Sequence, residues 1–169
     1  MALGFEEGKR AWQPRELAMV SEFLLEKDLL PFSSTRVRLG IPAPELVFAG
    51  ITAEELGMLR VWSRWADAVV ALPDKLILIE AKIRPRLGPL EALEIYSRLL
   101  SKDPAYTPQQ RRKIEKWFVY AIEDPVLTAL ARDMGIVPMR FQWKGLAQYL
   151  RILQARETRA PLSQQEGLQ

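Results

Sequence analysis

Trp65-Ala66-Asp67-Ala68-Val69-Val70-Ala71-Leu72-Pro73-Asp74-Lys75-Leu76-Ile77-Leu78-Ile79-Glu80-Ala81-Lys82 is the stretch on which the fold turns. Ala68–Ala71 and Leu76–Ile79 are short apolar runs rich in Val and Ile, the composition of buried strands. Leu72-Pro73-Asp74-Lys75 between them is a turn signal. Proline fixes a negative φ, which disfavours a primed two-residue turn at Pro73-Asp74. A four-residue loop on a type I turn, with Pro73 in its second position, fits better. Either loop predicts one register: Ala71 faces Leu76, Val69 faces Leu78, and Asp67 faces Glu80. Directly opposed residues share a face, with Cβ atoms about 4.5–5.5 Å apart. Lys82, two residues beyond Glu80, falls on that face as well.

The predicted hairpin thus gathers Asp67, Glu80 and Lys82 at its open end. An unpaired buried charge costs roughly several kcal/mol or more, so these groups must be paired or bound. A divalent cation would neutralise the two acids. A self-satisfied ion-pair cluster at the mouth of a sheet is the other reading of the same three residues. Asp74 belongs to neither reading. Six strand positions separate it from Glu80, about 20 Å at ~3.3 Å per residue.

Asp67 followed by Glu80-Ala81-Lys82 on the next strand resembles the PD-(D/E)xK nuclease superfamily. The order of elements around it is similar too: a helix, strands carrying the motif, a helix, a strand, a helix and a strand, over residues 14–142. Ala66 stands where that family often has proline. In the family's RecB-like branch a Gln-x-x-x-Tyr motif follows on the next helix. Here Tyr96 is present and Ala92 occupies the glutamine position. The resemblance implies an α/β fold of restriction-endonuclease type: an αβββαβ core, a central mixed sheet flanked by helices, an inserted short helix and a C-terminal helix. It also implies metal-dependent hydrolysis of DNA phosphodiesters. Asp67, Glu80 and the backbone carbonyl of Ala81 would hold Mg²⁺ or Mn²⁺, and Lys82 would position the nucleophile. A further acid from the first helix, Glu16 or Glu22, would complete the site.

Composition narrows the chemistry. The 169 residues contain no cysteine and no histidine, which excludes disulfides, thiolate metal sites and imidazole acid–base catalysis. Any metal must be held by oxygen, the preference of Mg²⁺ and Mn²⁺. A formal charge of +3 with an isoelectric point near 9.3 suits a polyanionic partner. No stretch reads as a signal peptide or membrane span, so a cytoplasmic protein is expected, or a virion-associated one if it belongs to a phage particle. The absence of asparagine, with arginine ahead of lysine and many prolines, suggests a thermophilic source.

One domain is expected over residues 1–169, with a polar tail at 160–169. Pro14 opens a first helix running to about Leu30, with Leu17, Val20, Leu24 and Leu25 as its apolar face. Thr35–Ile41 reads as a first strand with Arg36 and Arg38 on its polar side. Thr52-Ala53-Glu54-Glu55 resembles a capping box opening a short helix to about Arg60. After the hairpin, Pro89 starts a helix with Leu90, Leu93, Tyr96 and Leu100 on one side. Gln109–Glu115 reads as a helical turn, Lys116–Ile122 as a buried strand, Pro125–Met134 as a helix stopped by Gly135, Ile136–Phe141 as a last strand, and Gly145–Arg156 as a final helix.

Two basic groups are candidate DNA contacts: Arg36, Arg38, Arg64, Arg84 and Arg86 around the hairpin, with Arg60 nearby, and Arg111, Arg112 and Lys113 further on. Tyr96, Trp62 and Trp65 are read first as core residues, with base stacking as the second reading. The expected activity is DNA cleavage in repair, recombination or phage DNA processing. The alternative is an inactive nuclease-fold protein that binds DNA or serves in a phage assembly, and cleavage of RNA is the third option. A homodimer and a place in a larger particle are both open.

Overall fold

The computed structural model describes residues 13–40, 64–103, 105–106 and 113–157. The predicted helix at Thr52–Arg60, Trp62, Arg111, Arg112 and the tail lie outside them. The described elements run α1 (Gln13–Glu26), a 3-10 turn (Leu30–Phe32), β1 (Ser33–Leu39), β2 (Arg64–Ala71), β3 (Lys75–Lys82), α2 (Leu87–Leu100), β4 (Lys113–Tyr120), α3 (Pro125–Asp133), β5 (Ile136–Arg140) and α4 (Leu146–Glu157).

The five strands form one sheet in chain order, β1-β2-β3-β4-β5. The first three pair antiparallel; β3, β4 and β5 pair parallel. Two cores sandwich the sheet. One packs Met19, Val20, Phe23 and Leu24 of α1, with Leu146 and Tyr149 of α4, against Ala68, Val70, Ile77, Ile79 and Ala81. The other packs Leu90, Leu93 and Leu100 of α2 and Ala131 of α3 against Val69, Leu76, Leu78 and Phe118. This is the mixed α/β sheet with helices on both faces that a restriction-endonuclease-like core requires.

The β2–β3 register matches the prediction, with Ala71 opposite Leu76 and Val69 opposite Leu78. The loop closes through a hydrogen bond from the Leu72 amide to the Lys75 carbonyl (2.9 Å). β3 is buried along six of its eight residues because it has a strand on each side and a helix layer on each face.

Two element boundaries differ most from expectation. α1 ends at Glu26 rather than Leu30, because Asp28 turns left-handed (φ 56°) and the Leu29 amide caps Leu24. Its buried stripe includes Met19 and Phe23, while Leu25 is 63% exposed. β4 begins at Lys113, inside the predicted helical turn. Parallel pairing of Lys75–Lys82 with Lys113–Tyr120 overrides the local preference there. α3 stops as expected at Gly135, whose φ of +65° favours glycine.

Phe23 shows how α1 is seated. It is 1% exposed and meets Phe141 and Trp117 edge-on, with ring centroids 5.6 and 6.2 Å away. Truncating it to alanine should cost ~3–5 kcal/mol. Glu16, Val20 and Phe23 recur at helical spacing, so the packing of Phe23 aims Glu16 at the sheet.

Candidate active site

At the open end of the hairpin the β2–β3 ladder stops at the pair Ala68–Ile79, one step short of Asp67 and Glu80. Side chains replace the missing ladder bonds. The Ala81 amide donates to Asp67 Oδ2 (2.8 Å), and the Asp67 backbone donates to the Glu80 carboxylate. The two acids are thereby held by each other's strands. Lys82 Nζ lies 2.9 Å from Glu16 Oε2 and 3.9 Å from Asp67 Oδ2.

These four side chains line one cleft of about 860 Å³, open to solvent between the first turns of α1 and α2. Arg36, Trp65 and Tyr96 also border it, and Gly88 and Ala92 keep the α2 side low. Of the two α1 candidates, Glu16 reaches the cluster. Glu22, six residues on, is turned to another face of the helix and does not line the cleft.

Three acids share this space with Lys82 and Arg36, and the charges do not cancel locally. Glu80 is 5% exposed. Burial, reinforced by repulsion from Asp67, pushes its carboxyl up to about 9, against the opposing pull of Lys82 and the Asp67 hydrogen bond. Burial alone would pull Lys82 down, but Asp67 and Glu16, with Glu80 behind them, raise it above the ordinary lysine value. Glu80 Oε1 is buried and has no hydrogen-bond partner among the described residues.

That oxygen is the test of whether the residues fit a divalent cation. A buried acceptor with nothing donating to it marks a position that water or an ion satisfies. Among the described residues no group of three or more acidic ligands is arranged to hold a metal by itself. Mg²⁺ does not need one, since it commonly takes one or two carboxylates and fills its remaining positions with water and phosphate oxygens. Asp67 and Glu80 fit that pattern, and the Ala81 amide orients Asp67.

The other basic residues divide by position. Arg38 is half-buried and Arg36 exposed, both beside Trp65. Arg64 belongs to β2, and its side chain lies outside the described residues. Arg84 and Arg86 are exposed in the link from β3 to α2 and do not line the cleft. Lys113 pairs with Lys75 at the far end of β3 and contacts Glu115 (3.7 Å), seven strand positions or about 23 Å from the level of Lys82.

Trp65 corrects the sequence reading. It is 49% exposed and borders the cleft instead of the core. The cause is a slip in strand alternation. Ala66 packs into the α2-side core and Ala68 into the α1-side core, although residues two apart normally share a face. Strict alternation from Val69 would have put Trp65 in the α2-side core. The slip coincides with Arg36, the position opposite Asp67 where β1–β2 pairing skips, and Arg36 there is left-handed (φ 52°). No signal in the sequence marks this. Tyr96 is partly buried against the α2-side core, as expected, and also reaches the cleft.

No protein-family model and no curated relative matches the chain. Among solved structures, the chain is similar to a repair endonuclease from Pyrococcus abyssi at 13% identity and a TM-score of 0.42, over 83% of this chain and 49% of that one. It is similar to a Vibrio cholerae protein at 14% identity and a TM-score of 0.42, over 82% of this chain and 32% of that one. The chain thus spans about half and about a third of the lengths of these two proteins. At such values the functional reading rests on the geometry of the site itself.

Proposed function

We propose that the protein is a metal-dependent nuclease of the PD-(D/E)xK type that hydrolyses DNA phosphodiester bonds. The observation that carries this is Glu80: a buried carboxyl with one oxygen that has no hydrogen-bond partner among the described residues, set against Asp67 at the mouth of an open cleft. The chain's basic balance suits a polyanionic substrate.

Asp67, Glu80 and the Ala81 carbonyl would hold the cation. Bound Mg²⁺ or Mn²⁺ supplies charge neutralisation on the phosphate and a lowered pKa for coordinated water. The chain's own contribution is positional. Glu16 and Asp67 fix Lys82 Nζ over the cleft, where the ammonium can orient an attacking water and offset the negative charge that develops on phosphorus-bound oxygen. Hydrolysis forms a bond from the water oxygen to phosphorus, breaks the bond to the departing sugar oxygen, and requires no co-reactant beyond water. The low wall formed by Gly88 and Ala92 leaves room for the nucleic-acid strand.

The test is incubation with plasmid, linear, branched and single-stranded DNA in Mg²⁺ or Mn²⁺, beside Asp67→Ala and Lys82→Ala. Cleavage by the wild type, lost by at least ~100-fold in both variants, is expected. A wild type that cuts none of these substrates, or variants that cut as well as it does, would overturn the assignment and leave a nuclease-fold protein that only binds or scaffolds.

A further inference from the structure

The structure points to a second feature of the cleft: we propose that Trp65, with Arg36 and Arg38, is a stacking platform for an unpaired base of single-stranded DNA. The proposal rests on the nuclease reading and names the form of DNA the site takes.

Four observations carry it. First, Trp65 borders the same cleft as Asp67, Glu80 and Lys82 and is 49% exposed. It lies two strand positions from Asp67, about 7 Å along β2, within reach of a nucleotide next to one held at the acids. Second, the ring is flanked by two cations. The Arg38 guanidinium is 4.7 Å from its centroid and that of Arg36 is 5.8 Å away. Neither arginine forms a salt bridge with a carboxylate of the described residues.

Third, Arg38 Nε is buried and has no hydrogen-bond partner among the described residues. Fourth, the arrangement is held at a conformational cost. Arg36 adopts a left-handed backbone that a non-glycine residue rarely takes, at the point where the slip in β2 turns Trp65 out of the core.

A half-exposed indole with guanidinium groups over its ring matches an unpaired nucleotide: the exposed π-surface to the base, the cations to phosphate. A duplex cannot use it in the same way, because its bases are stacked on one another and only their edges reach the grooves. Duplex DNA would meet the arginines alone. The platform therefore favours a single strand, including a frayed end or flap, and does so without sequence preference, since every base has a π-face.

The experiment measures binding apart from cleavage. Fluorescence anisotropy of labelled oligo(dT), a mixed-sequence single strand, the matching blunt duplex and a single-stranded RNA of the same sequence is recorded in EDTA. Wild type, Trp65→Ala, Trp65→Tyr and Arg38→Gln are compared, with thermal melts confirming that each variant folds. Expected are tighter binding of single-stranded DNA than of duplex, a loss of about tenfold or more in Trp65→Ala, substantial recovery in Trp65→Tyr, and duplex binding by Trp65→Ala within about twofold of wild type. Arg38→Gln should weaken binding and lower its salt dependence.

Equal losses for single strand and duplex in Trp65→Ala would overturn the platform, as would a wild type that prefers duplex or RNA. The two proposals fail separately. Trp65-dependent binding of single-stranded DNA with no cleavage in Mg²⁺ or Mn²⁺ would keep the platform and remove the nuclease. Cleavage by a wild type whose single-strand binding ignores Trp65 would do the reverse.

Discussion

The two ends of the β2–β3 hairpin carry the same kinds of residue in opposite circumstances. At the closed end, Lys75 faces Glu115 across to β4 at 3.2 Å, and Lys113 adds a second cation. Burial pushes Glu115 up, but hydrogen bonding and attraction from Lys75 more than offset it, and the group is held below the ordinary glutamate value. At the open end, Glu80 shares one lysine with Asp67 and Glu16 and is driven to about 9. Two glutamates of one sheet, one on β3 and one on the neighbouring β4, are shifted in opposite directions. The difference is burial first and charge second: Glu80 is almost wholly removed from water beside two other acids, whereas Glu115 is partly exposed and is hydrogen-bonded to Lys75 with Lys113 nearby. On the nuclease proposal, these crowded acids are what a divalent cation would neutralise.

The comparison breaks most sharply under the same substitution at both ends. Glu80→Gln should reduce DNA cleavage by more than ~100-fold, since the amide is a weaker ligand that carries no charge, whereas Glu115→Gln should leave it within about twofold. Equal effects in a single-turnover assay would mean that the open end has no special role. Glu16→Gln should fall between, at about tenfold, because Glu16 acts by holding Lys82.

Next in size is a pH effect on stability. A carboxyl raised from about 4.5 to about 9 on folding binds its proton more tightly in the native state. Stability without divalent cation should therefore decline as pH rises from about 5 to about 9, by on the order of 1 kcal/mol per pH unit at most. Thermal melts across that range in EDTA measure the slope. Added Mg²⁺ or Mn²⁺ should flatten it, and so should Glu80→Gln; a slope unchanged by that substitution would place its origin elsewhere.

The smallest expected effect belongs to the closed end. There the folded carboxyl is held low, so its contribution is present above the usual glutamate pKa and fades as pH falls. Glu115→Gln should cost under about 1 kcal/mol at neutral pH in urea titrations, as expected of a partly exposed pair.

The sequence made one part of this contrast legible and hid the other. The hairpin register follows from Pro73-Asp74 and the flanking Val and Ile residues, so the convergence of Asp67, Glu80 and Lys82 can be counted out residue by residue. The exclusion of Asp74 follows from the same count. The choice of Glu16 over Glu22 needs the seat of α1 on the sheet, which Phe23 sets through contacts with β4 and with Phe141 beyond β5. The start of β4 at Lys113 is decided by its parallel partner, remote in sequence. The exposure of Trp65 was hidden altogether, because it depends on a left-handed residue on a different strand.

The order β1-β2-β3-β4-β5 puts the strand bearing Glu80 in the middle of the sheet, where Ile77–Ala81 are no more than 5% exposed. Opening that strand locally would strip partners from both sides at once, so its amides should exchange with deuterium only when the whole fold comes apart. Glu16 and Gly88 sit in the first turns of their helices, where fraying is least costly. On the nuclease proposal, the cleft would open at its rim to admit and release a polymer while the floor that anchors Glu80 keeps its place.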